Sequence, residues 1–64
     1  MKKLILKAAT AKLTGDRDMA IANAQIYLNS PQAIGEHSGI IESFLEEIQK
    51  AAHAQDMLDM INDL

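Results

Sequence analysis

Glu36 and His37 are the residue types best suited to general acid–base work, an imidazole that titrates near neutrality beside a carboxylate that could orient it. Ser30 and Ser38 flank them as nominal nucleophiles, but no Gly-x-Ser-x-Gly elbow is present, and adjacent side chains on a turn do not face each other. A second use of the same residues is simpler. Glu36 suits the positive start of a helix, and His37 or Ser38 can accept hydrogen bonds from its free N–H groups. The second histidine, His53, follows 16 residues later, about 24 Å along a helix axis, too far for the two to share a metal within one chain. His53 and Asp56 offer two ligands at i,i+3, without the Glu-x-x-His pairs of di-iron bundles. The residues therefore read as helix caps and surface groups: no catalytic residues, metal or cofactor are expected, and the chain is expected not to be an enzyme.

The elements around these residues are helical. One proline and three glycines punctuate a sequence rich in alanine, leucine, isoleucine, lysine and glutamate, the composition of an all-α fold. From Ile40 onward the apolar positions Ile41, Phe44, Leu45, Ile48, Ala51, Ala52, Leu58 and Ile61 advance mostly in steps of three and four, predicting a helix over 38–62 with one apolar stripe. Glu46 and Lys50 form a favourable i,i+4 pair on it. In the first half Leu6, Leu13, Ala20 and Tyr27 recur every seven residues, with Ala24 and Leu28 beside them, predicting a helix over 2–29. Thr14-Gly15-Asp16 interrupts that pattern. Glycine inside a helix costs about 1 kcal/mol, so one long helix, straight or kinked at Gly15, is favoured over two short helices. Pro31 and Gly35 then turn the chain through a loop over 30–37. The expected fold is an antiparallel helical hairpin, one domain over 1–64.

Charge is divided between the halves. Residues 1–35 carry Lys2, Lys3, Lys7, Lys12 and Arg17 against Asp16 and Asp18; residues 36–64 carry seven acids, among them Asp56, Asp59 and Asp63, against Lys50. Lysines at a helix start and aspartates at a helix end oppose the macrodipole, and antiparallel folding would relieve both by setting Lys2 and Lys3 beside Asp59 and Asp63. The net charge of −3 and only two aromatics, Tyr27 and Phe44, argue against nucleic acid as a partner. Lys7 cuts the apolar run Leu4-Ile5-Leu6 to three residues, too few for a signal-peptide core, and no stretch is long enough to span a bilayer. A cytoplasmic protein is expected, with no membrane partner.

Sixty-four residues without cysteine have neither a disulfide nor a cysteine-bound metal to staple a small core. A homo-oligomer is therefore expected, a dimeric four-helix bundle first and a larger ring second. The surfaces for it lie at the end away from the loop. Leu4, Ile5 and Leu6 point around most of one helix; Met57, Leu58, Met60, Ile61 and Leu64 do so on the other. A hairpin buries only one face of each, so Leu4, Ile5, Met57, Met60, Ile61 and Leu64 are the candidate interface, and methionine suits an adaptable contact.

The central stretch Asn29-Ser30-Pro31-Gln32-Ala33-Ile34-Gly35-Glu36-His37-Ser38-Gly39-Ile40 resembles a motif of small uncharacterised proteins of tailed phages, marine cyanophages included. Asn29, Pro31, Ile34, Gly35, Glu36, His37, Ser38 and Ile40 match its usual form, whereas Gln32, Ala33 and Gly39 depart from it. The resemblance covers about a fifth of the chain and implies a phage-encoded helical hairpin, with no activity attached. It makes Pro31, Ile34, Gly35, Glu36 and His37 a candidate loop or ligand site. Size, unpaired apolar ends and the lack of a catalytic constellation together suggest an oligomeric adaptor or modulator that binds or sequesters a host or phage protein. The alternatives are a structural virion component, an oligomer that encloses a small molecule near Glu36 and His37, and, weakest, an RNA-binding bundle.

Overall fold

A computed structural model describes residues 1–29 and 39–64 of the chain. They form two helices, α1 (Lys2–Asn29, 28 residues) and α2 (Ile40–Asn62, 23 residues), and no strand occurs among the described residues. The chain is all-α, and the pair measures 50 × 14 × 12 Å, a single layer of two helices. None of the described helices is long and apolar enough to cross a membrane.

α1 passes through Gly15 without a break. Gly15 does not adopt a positive φ, so its cost is the backbone entropy of an interior glycine, about 1 kcal/mol, and 27 better helix formers around it outweigh that. α2 begins at Ile40, two residues later than the sequence predicts, with Gly39 at the N-cap and no side-chain cap bond. Glu42 in its first turn complements the macrodipole. The expected capping by Glu36, His37 or Ser38 falls outside the described residues, as does the whole candidate loop site of Pro31, Ile34, Gly35, Glu36 and His37.

Two side-chain hydrogen bonds join the helices among the described residues, and they fix direction and register. Arg17 Nη1 donates to Gln55 Oε1 at 2.9 Å, and Asn23 Nδ2 donates to Glu47 Oε1 at 3.2 Å. Moving forward along α1 thus moves backward along α2: the helices are antiparallel. In that register Lys12 falls opposite Asp59, and Lys2 and Lys3 overhang the end of α2. The ion pairs expected between Lys2 or Lys3 and Asp59 or Asp63 accordingly do not form. The ion pairs among the described residues are Lys12–Asp16, Arg17–Asp18 and Lys50–Glu47, each within one helix. Orientation is set by the seam and its two hydrogen bonds, while the charge halves contribute only a diffuse attraction.

The seam follows a heptad rhythm. Leu13, Ala20 and Ala24 of α1 are buried, with Ala9 and Tyr27 half-buried. On α2, Ile40, Phe44, Glu47, Ala51, Ala54, Leu58 and Ile61 follow in alternating steps of four and three; Glu47 and Ala54 are buried and the rest half-buried. This is the 3–4 spacing that keeps one seam facing a partner helix. Alanine at 20, 24, 51 and 54 lets the backbones approach closely, so packing comes from proximity more than from large side chains. The single stripe expected on α2 divides into two. Phe44, Ala51, Leu58 and Ile61 turn to the seam; Ile41, Leu45, Ile48 and Ala52 face away from it and are exposed.

Candidate functional site

The seam separates two flanks of different chemistry. On one, Lys12, Leu13, Asp16, Met19, Ala20 and Asn23 of α1 meet Glu47, Lys50, His53, Ala54 and Met57 of α2 around a groove of about 420 Å³. Its floor is apolar, because Ala20 and Ala54 are too small to fill the space between the helices. Its rim is polar and carries both signs of charge. Met19 is largely and Met57 partly exposed, and they give it two pliable walls.

Glu47 is the unusual residue of this flank. It occupies a seam position that α2's rhythm would otherwise give to an aliphatic residue, and it is 9% exposed. Its Oε1 accepts the hydrogen bond from Asn23 and a long contact of 3.5 Å from Lys50 Nζ. Its Oε2 is buried without a hydrogen-bond partner, although Lys50 Nζ approaches to 3.4 Å. That approach is a weak one: it lacks hydrogen-bond geometry, and the Lys50 side chain is two-thirds exposed. The sequence pairs Lys50 with Glu46; the structure pairs it with Glu47, which lies one residue nearer the seam.

The other flank is built from the second apolar stripe of α2 and its counterpart on α1. Leu28 and Ile41 line a shared apolar recess of about 190 Å³ with Tyr27, Ile40 and Phe44. Helical spacing sets Ile21, seven residues before Leu28, and Leu45 and Ile48, four and seven residues after Ile41, on the same flank. Ile21, Leu28, Ile41, Leu45 and Ile48 are 41%, 64%, 67%, 54% and 42% exposed. The hydrogen-bonded pair Arg17 and Gln55 closes the stripe toward the open end. The five side chains of the stripe are uncharged; Asp18, paired with Arg17, and the exposed Glu42 border it.

At the open end Leu4, Ile5, Met57, Met60 and Leu64 are exposed, the first two because α1 extends past the last turn of α2. Ile61, also a candidate interface residue, is half-buried in the seam. The candidate interface is thus not one patch: Ile61 packs within the hairpin, and Met57 belongs to the groove. The sequence pattern does not separate the five-residue stripe, because Ile41, Leu45 and Ile48 fit the same run of three- and four-residue steps as Phe44 and Leu58. The signal was available in the width of the apolar arc, since Ile40, Ile41, Phe44, Leu45 and Ile48 span more than one helix can cover.

His53 is exposed on the groove rim. No group of three or more His, Cys, Asp or Glu side chains among the described residues is placed to hold a metal ion. No family model, curated protein or solved structure matches the chain.

Proposed function

We propose that this chain is a non-enzymatic helical adaptor, which self-associates and binds or sequesters a protein. The observation that carries this reading is surface area. The chain exposes 5233 Å², whereas a compact protein of its mass would expose about 4,000 Å². Isoleucine, leucine and methionine are exposed on two flanks and one end of the hairpin, which has no second layer among the described residues. Surface of this kind belongs to a protein that completes its core with another chain.

The two flanks suit different tasks. An aliphatic, charge-free stripe has the chemistry of a permanent contact, and a polar-rimmed groove with methionine walls has that of an exchangeable one. On this reading the groove receives the target, and the loop resemblance makes the target a host or phage protein inside an infected cell. The test is affinity capture from a host lysate with immobilised wild-type chain and with the double variant Met19→Asp, Met57→Asp. A protein retained by the first and lost with the second is the expected outcome. Identical retained sets would count against the groove as the target surface.

A further inference from the structure

We infer that the stripe of Ile21, Leu28, Ile41, Leu45 and Ile48 is the surface on which a second copy of this chain packs, across a twofold axis, to close a four-helix bundle. The inference rests on the self-association reading above and assigns its face. Area is the first argument. At these exposures the five side chains of the stripe present roughly 500 Å² per chain, so two copies bury about 1,000 Å² from the stripe alone, the size a specific contact must clear.

Charge and shape choose the flank. The groove flank carries Lys12, Asp16, Glu47 and Lys50, which would have to be desolvated against a partner. The five side chains of the stripe are uncharged, with the paired Arg17 and Asp18 and the exposed Glu42 at its edges, so burying the stripe itself removes apolar surface from water. Ile41 and Ile48 stand seven residues apart, the repeat of a helix that packs against another helix along its length. The recess between Tyr27, Leu28, Ile40, Ile41 and Phe44 is open to an aliphatic side chain. A twofold axis through the stripe makes the contact self-complementary: each copy offers exposed aliphatic side chains and a recess to receive one. The stripe also lies near the loop end of the hairpin, so the open-end residues Leu4, Ile5, Met60 and Leu64 stay outside this contact.

Sedimentation equilibrium on wild type, Ile41→Asp/Ile48→Asp and Met57→Asp/Met60→Asp at equal concentration tests the assignment. Wild type and the methionine variant are expected at twice the 7.0 kDa chain mass. The stripe variant is expected at 7.0 kDa, its dissociation constant raised more than a hundredfold. Because the stripe variant could lose its fold, a second measurement leaves the stripe intact. The chain has no cysteine, so Leu45→Cys places one thiol on the stripe and Ala11→Cys one on the exposed outer side of α1. A short bis-maleimide is expected to join two Leu45→Cys chains and not two Ala11→Cys chains. A wild-type dimer that survives both stripe aspartates, or equal cross-linking at both cysteines, overturns the face while leaving self-association standing. A wild type that is monomeric at every concentration overturns both.

Discussion

Replacing Glu47 by leucine should make the protein more stable. In the wild type the carboxylate gains one hydrogen bond from Asn23 at 3.2 Å and a loose contact with an exposed lysine. These are worth about 1.5 kcal/mol and a few tenths of a kcal/mol respectively. Against them stands Oε2, buried with no hydrogen-bond partner, at a cost of about 1–3 kcal/mol. Leucine at the same seam position would add apolar burial of about 1–2 kcal/mol. The amide of Asn23, half-buried beside the groove, would turn to water. The balance favours Glu47→Leu by about 1–2 kcal/mol, in line with other exchanges of a buried charge for an apolar side chain. For a chain of this size that raises Tm by roughly 5–15 °C. The assay is thermal unfolding followed by circular dichroism at 222 nm, at one fixed chain concentration, because association makes Tm concentration-dependent. Asn23→Ala should cost about 1–2 kcal/mol in the wild type and only a few tenths beside Glu47→Leu, since the pair acts as a unit. A fall in Tm for Glu47→Leu would refute the reasoning and mean that Oε2 is satisfied in solution.

Two further substitutions probe the helices themselves. Gly15→Ala places a methyl group where nothing lies within 4 Å; it should stabilise α1 by about 1 kcal/mol, read as a higher Tm. Leu13→Ala removes the largest buried aliphatic side chain of the seam. It should cost about 2 kcal/mol, without an added cavity penalty because the groove beside it is already open.

The helices were legible in the sequence because periodicity is a local property. The heptad of Leu6, Leu13, Ala20 and Tyr27 carries through Gly15, and the helix carries through with it. Exposure of Leu4, Ile5, Met57, Met60 and Leu64 followed from their arrangement around the helix. Register was not legible, because it depends on which side chains meet across the seam. Lys2 and Lys3 therefore miss Asp59 and Asp63 by several residues, despite suitable charges. The role of Glu47 is hidden in the sequence for a related reason. Counting apolar residues passes over a polar one, yet the steps from Ile40 and Phe44 to Ala51, Ala54, Leu58 and Ile61 leave a vacancy in the rhythm that only residue 47 fills. The division of α2 into a seam and a second stripe was hidden by the width of its apolar arc.

Solution mass tests the central claim, that this hairpin completes its core with another chain, most directly. Sedimentation equilibrium of the wild type across a hundredfold dilution should give a stable species at twice 7.0 kDa. A fully helical monomer of 7.0 kDa at every concentration would contradict it.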